Sequence, residues 1–182
     1  MQNLPSKADV PGFKRRAWLQ LASLSVISLG LTACGFRLRG SQKFVFSRIA
    51  IGPVPGGGVA QELRRSLGSA IELVAADSPA ARAQLVLDVT QDQREKIVVG
   101  LNATGQVREF QLRMRVRLRL RTAAGKTIIE DDEILQQRDI SFNESAVLAK
   151  EAEEALLYRD MQTDIVQQIL RRLAMIQAAQ LD

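Results

Sequence analysis

A chain of 182 residues with no histidine, a single cysteine, and 25 basic against 20 acidic residues leaves out several kinds of chemistry. Without imidazole there is no Ser-His-Asp or Cys-His nucleophile system and no zinc site of the usual Cys/His type, and one cysteine cannot form an internal disulfide. The net charge of +5 is weighted to the N-terminus, since four of the basic residues and one of the acidic ones lie in the first 33 positions, leaving about +2 for the rest. A near-neutral remainder argues against nucleic acid as a partner.

The first element in chain order is a targeting segment. Lys14, Arg15 and Arg16 precede an apolar run from Ala17 to Leu31, the positive n-region and short h-region of an export signal. The run is short for a membrane span, which needs roughly 20 apolar residues. It ends in Leu31-Thr32-Ala33-Cys34-Gly35. Small residues placed before a cysteine describe a lipoprotein cleavage site, at which the thiol takes a diacylglyceryl group and cleavage leaves Cys34 as an acylated N-terminus. An ordinary secretory signal followed by a chance cysteine is the alternative. Arg15-Arg16 also fits a twin-arginine signal, but no cofactor motif requires export in the folded state. The chain is therefore divided into a signal peptide over 1–33, a lipidated tether over 34–43 and one domain over 44–182, a size suited to a single core.

Phe44 to Ile51 reads as a first strand, broken by Gly52-Pro53-Val54-Pro55-Gly56-Gly57-Gly58. A short helix follows from Val59 to Leu67, with Val59, Leu63 and Leu67 on one stripe and Gly68 placed to end it. Ile71–Val74 adds a short extended piece. Gln84–Thr90 is the next strand, prolonged towards Ile97-Val98-Val99, and Gly100 with Asn102-Ala103-Thr104-Gly105 marks a turn. From Phe110 to Arg121 the sequence alternates strictly: Phe110, Leu112, Met114, Val116, Leu118 and Leu120 against Arg113, Arg115, Arg117, Arg119 and Arg121. Only a strand segregates a period of two. Ala123-Ala124-Gly125-Lys126 predicts a hairpin turn, and the returning strand covers Thr127 to about Arg138. A two-residue turn at Ala124-Gly125 would set Arg119 opposite Glu130 and Arg117 opposite Asp132. Ser141-Phe142-Asn143-Glu144 fits a capping box opening a long helix to about Gln177, whose stripe is Leu157, Met161, Ile165, Ile169 and Leu173. The order β-α-β-β-β-α predicts an α+β two-layer sandwich: a mostly antiparallel sheet of about four strands with two helices packed on one face.

Two local clusters have plain readings. Gly56-Gly57-Gly58 precedes a helix as a phosphate cradle does, but no Gly-Lys-Ser/Thr follows, so it reads as a flexible loop. Asp131-Asp132-Glu133 lacks calcium-loop spacing and reads as a charged edge that discourages strand-to-strand aggregation. No metal or cofactor site, and no catalytic residue, is assigned.

Cys34-Gly35-Phe36-Arg37-Leu38-Arg39-Gly40 resembles the start of the LptE family, the lipopolysaccharide-assembly lipoproteins of Gram-negative outer membranes. Gly105-Gln106 to Glu109-Phe110, Ala149-Lys150 and Gln168-Ile169-Leu170-Arg171-Arg172-Leu173 agree with it in order. The resemblance implies a non-enzymatic lipoprotein held at the outer membrane by lipid on Cys34, where more than one acyl chain makes anchoring stable. Gly35, rather than aspartate, after the cysteine suits that sorting. It also implies a 1:1 complex in which the domain plugs the β-barrel LptD and helps lipopolysaccharide reach the outer leaflet. The family's lipopolysaccharide-contacting lysine falls on Lys150. The family's second basic contact falls on Ala103, a departure that Arg108 would make good from nearby. Arginine suits bidentate phosphate contact, so Arg113, Arg115 and Arg117 are further candidates. The bland reading of that stripe is a solvated or internally paired strand face, and that of Lys150 is an exposed helix lysine balanced by Glu151, Glu153 or Glu154. A periplasmic lipoprotein enzyme using Tyr158, lysine or paired carboxylates, and a structural lipoprotein of another envelope complex, stay open as other classes.

Overall fold

The computed structural model describes residues 42–52, 57–75 and 82–181. All of them belong to the second of the chain's two compact units, Ser41–Asp182. The signal peptide, Cys34, the signature through Gly40, Pro53–Gly56 and Ser78-Pro79 lie outside the described residues.

Strand β1 (Arg48–Gly52) leads to helix α1 (Val59–Leu67), a short strand β2 (Glu72–Val74), long strands β3 (Leu85–Leu101), β4 (Val107–Thr122) and β5 (Thr127–Ser141), and helix α2 (Val147–Ala174). The sheet has five strands in the order β2-β1-β3-β4-β5, one more than expected. β2 is the addition: the extended piece at Ile71–Val74 pairs in parallel with β1, as β1 does with β3, while β3-β4-β5 is an antiparallel meander. The two-layer α+β class stands, with a mixed sheet in place of a mostly antiparallel one.

Both helices cover the same sheet face because both carry an apolar stripe and the sheet offers one. Val59, Leu63 and Leu67 of α1 are buried, as are Met161, Ile165, Ile169 and Leu173 of α2. They pack on Ile49 and Ile51 of β1, Leu85, Leu87 and Val89 of β3, and Leu112 to Leu120 of β4 in one continuous core. Each such fully buried side chain contributes about 1.5–3 kcal/mol. Among the described residues no helix is long and apolar enough to cross a membrane.

Two irregularities decide which side chains join that core. On β3, Val89 faces Leu118 and Gln91 faces Arg117, so Thr90 is an extra residue in a β-bulge. Such an insertion reverses the facing of everything beyond it. Leu85, Leu87 and Val89 point to the helices before it, and Asp92, Arg94 and Lys96, in register with Val116, Met114 and Leu112, do so after it. On β5 the turn has three residues, Ala123–Gly125, closed by Thr122 N donating to Lys126 O at 2.8 Å, with Gly125 at φ +92°. A further shift near Asp131, at φ +33°, sets Arg117 opposite Glu133 and Leu118 opposite Asp132. This corrects the pairing of Arg119 with Glu130 and Arg117 with Asp132 that a two-residue turn implied.

The helix ends also differ from expectation. Ser141 belongs to β5, and the capping residue is Asn143, whose Oδ1 accepts from Ser145 N at 3.0 Å above a short 3₁₀ turn. Gly68 does close α1, but in a right-handed conformation at φ −61°. Gly57 and Gly58 serve close approach: a side chain at Gly57 would meet Asp92 Oδ2 at 2.7 Å, and one at Gly58 would overlap Gln162 Oε1. Asp92 Oδ2 accepts from Val59 N at 3.0 Å, so the protein's own carboxylate occupies the electropositive start of α1.

Candidate functional site

The residues singled out in the sequence fall on two surfaces. The first lies at the end of the sheet where β3 turns into β4 and β5 departs for α2. Asn102 shapes the turn, its Oδ1 accepting from Thr104 N at 3.0 Å and Gln106 N at 2.9 Å. Gly105 sits at φ +83°, a conformation that glycine adopts without steric cost. Ala103 is exposed in this turn and Arg108 exposed just after it. Arg108 O accepts from Phe142 N at 2.8 Å, and Ser141 is the register partner of Glu109. Lys150, one turn into α2, reaches back to the same place, with Nζ donating to Ser141 Oγ at 3.0 Å and Glu153 Oε2 at 2.8 Å. Arg108 and Lys150 are thus gathered at one end of the sheet.

A pocket of about 240 Å³ opens there, with Phe110, Ile140, Phe142 and Val147 as its apolar wall and Lys96, Lys150, Glu151 and Glu154 as its charged one. Phe110 meets Phe142 edge-on, with ring centres 5.2 Å apart. Lys96 Nζ stands 4.4 Å over the Phe110 ring and pairs with Glu154 at 2.6 Å. Val98, the register partner of Phe110, and Leu148, next to Val147, are 46% and 82% exposed. A surface that sets paired lysines beside apolar side chains suits a ligand that is itself amphipathic. Lys150 is only 22% exposed and already paired with Glu153. Its ammonium has three donors, of which these contacts use two.

Sequence reasoning missed Lys96. It lies in an uninterrupted polar run from Thr90 to Lys96, where no apolar alternation says which side chains face inward. Only the register with Leu112 settles it.

The second surface is the uncovered face of the sheet, where Arg113, Arg115 and Arg117 stand in a row. Arg117 Nε donates to Glu133 Oε2 at 2.9 Å and Nη1 lies 3.8 Å from Asp131, while Arg115 lies 3.9 Å from the other oxygen of Glu133. Arg113 Nε donates to Gln111 Oε1 at 2.7 Å, and Arg121 pairs with Asp88 at 3.1 Å. Asp132, on the opposite face, pairs with Arg172 of α2. The acidic run is thus split between the two faces, Asp131 and Glu133 meeting the arginine row and Asp132 meeting α2. Among the described residues no group of three or more acids could hold a metal ion.

Tyr158, the residue an enzyme reading would use, is a buried structural group. Its hydroxyl donates to Glu95 O at 2.7 Å, and Arg94 lies 5.3 Å over its ring. Burial first, and then the Glu154 carboxylate, hold its pKa above the ordinary 10.0; Arg94 opposes this and Glu95 adds to it.

The fold and its end pocket define a two-layer α+β domain of a kind found in bacterial lipoproteins. An uncharacterized lipoprotein B from Nitrosomonas europaea, solved in solution, is 35% identical with a TM-score of 0.66, over 77% of this chain and 90% of that one. The rare lipoprotein B of Shewanella oneidensis (22% identical, TM-score 0.59, 70% of this chain and 94% of that one) and a minor lipoprotein of Acinetobacter baumannii (20%, 0.56, 72% and 93%) share the fold. No curated protein matches. The model of the family LptE, described as lipopolysaccharide-assembly, matches residues 46–173, and the chain belongs to that family. Its role is accordingly in lipopolysaccharide assembly, in a family that is a non-enzymatic component of transport.

Proposed function

We propose that the chain is an outer-membrane lipoprotein that loses residues 1–33, is acylated on Cys34, plugs the LptD β-barrel in a 1:1 complex, and binds lipopolysaccharide on its way to the outer leaflet. The observation that carries the binding step is the end pocket. Lipopolysaccharide joins phosphates to acyl chains, and the pocket sets Lys96 and Lys150 against Phe110, Phe142 and Val147. Arg108, at the same end of the sheet, offers a further positive charge where Ala103 offers none. Phosphate competes with Glu153 for Lys150, because charge-assisted hydrogen bonds to phosphate and carboxylate are of similar strength. The barrel step is supported by the uncovered sheet face, which is polar and internally paired. A face with no second layer over it is suited to a hydrated lumen, and there Arg113, Arg115 and Arg117 would exchange their present partners for groups on the barrel wall.

The test has two readouts. Full-length protein pulled from membranes should bring down a large β-barrel in equal amount; recovery without a barrel would sink the plug. Lipopolysaccharide binding should weaken about tenfold for Lys150→Ala and further with Arg108→Ala, the loss of one charged hydrogen bond each. Glu153→Gln should strengthen it severalfold by freeing Lys150. Equal affinity in all three variants would place the ligand elsewhere.

A further inference from the structure

Beyond the end pocket, a wider cleft of about 690 Å³ lies between α1 and α2, with Glu62, Arg65, Arg94, Arg159, Gln162 and Thr163 among its lining residues. Three arginines from three different elements line it: Arg65 from α1, Arg94 from β3 and Arg159 from α2. The one acid lining it is already engaged. Glu62 Oε2 accepts from Gln162 Nε2 at 2.6 Å and Oε1 from Thr163 Oγ1 at 3.0 Å. Gln162 Oε1 in turn accepts from Arg94 Nη2 at 2.9 Å, which fixes that guanidinium at the cleft wall. The guanidinium groups of Arg65 and Arg159, both exposed, make no ion pair or hydrogen bond among the described residues.

We infer that the cleft between α1 and α2 is an anion-binding site that takes a phosphate group. Like charges converging on one concavity repel, and the acid beside them has its oxygens tied to an amide and a hydroxyl. An incoming dianion offers what the protein withholds. Phosphate oxygens accept two parallel N–H bonds from each guanidinium, and the walls of a cleft strengthen that attraction over an open surface. The Thr90 bulge aims Arg94 to this side of the sheet. Gly58, where any side chain would overlap Gln162 Oε1, lets the start of α1 approach Gln162 closely. The phosphate is carried either on a lipid headgroup or free in solution; the chemistry recognised is the same. This site does not rest on the lipopolysaccharide reading, because none of its arginines lines the end pocket.

The experiment measures binding of full-length protein to inorganic pyrophosphate by calorimetry at constant ionic strength. In parallel, it measures binding to vesicles of phosphatidic acid against phosphatidylcholine. Wild type, Arg65→Gln/Arg159→Gln and a control, Arg171→Gln, are compared; all three positions lie on helix surfaces, and circular dichroism confirms folding. The double variant should lose at least tenfold in affinity, while Arg171→Gln keeps the wild-type value. Loss with both probes identifies a site open to free phosphate, and loss on phosphatidic acid vesicles alone identifies a lipid-borne one. Undiminished binding by the double variant, an equal loss in Arg171→Gln, or no binding of either probe by wild type would overturn the assignment.

Discussion

Along β4 the even-numbered side chains from Leu112 to Leu120 are almost wholly buried beneath the helices, whereas the odd-numbered arginines from Arg113 to Arg121 remain accessible. Both rows come from one alternating stretch, yet they differ in how firmly each residue is committed. The apolar row has only one place to be, out of water, and its contribution is that of the core. The arginine row holds its charge in exchangeable contacts: one carboxylate, Glu133, is shared by Arg115 and Arg117. Such contacts stabilise little and can be traded for others. The covered face therefore makes the fold, and the uncovered face is free to make an interface.

Breaking the covered row should cost most. Leu118→Ala opens a cavity in the centre of the core and is expected to lower unfolding free energy by about 2–5 kcal/mol in a denaturant titration. A loss under 1 kcal/mol would mean that the two faces are not so unequal. Tyr158→Phe probes the boundary, where α2 meets the polar half of β3. It removes a buried hydrogen bond and should cost about 1 kcal/mol. The same hydroxyl sharpens the contrast with pH. Its pKa in the folded protein is above the ordinary 10.0, so the unfolded chain releases the proton first. That part of the stability is complete below about pH 10, is lost as pH climbs through the raised folded value, and its loss should vanish in Tyr158→Phe. Glu133→Gln, on the uncovered face, should cost least, under about 1 kcal/mol, and less again in high salt. A larger loss would make the arginine row part of the structural frame.

Legibility in the sequence followed how far local pattern decides structure. α1 has the expected bounds, and the stripe of α2 faces the core, because a 3.6-residue period and a glycine after Leu67 are local signals. β4 was legible for the same reason. β2 escaped as a sheet member because a three-residue strand is specified by its parallel partner β1, not by its own composition. The cap at Asn143 lost to Ser141 in the sequence because β5 runs three residues further than its apolar alternation shows. Of the candidate site, Lys150 and Arg108 were named and do share one end of the sheet, whereas the arginine row lies on the opposite face. Lys96, Arg94 and the phosphate cleft were not legible. Their facing depends on a register set by β4, and the glycines that read as a flexible loop are there to let Asp92 and Gln162 come close.

Thr90 touches neither the end pocket nor the interhelical cleft, yet both depend on it. The bulge acts as a change of reading frame within a single strand, apolar words before it and charged ones after it, all read out on the same side. Were Thr90 paired as a regular residue of the strand, with no bulge, the frame would shift by one, and the helices would look down on Gln91, Gln93 and Glu95 where they now meet Asp92, Arg94 and Lys96. The fold's outline would survive while β3 withdrew Arg94 from the cleft and Lys96 from the end pocket. One residue without a ligand contact thus decides which charges the sheet lends to two sites.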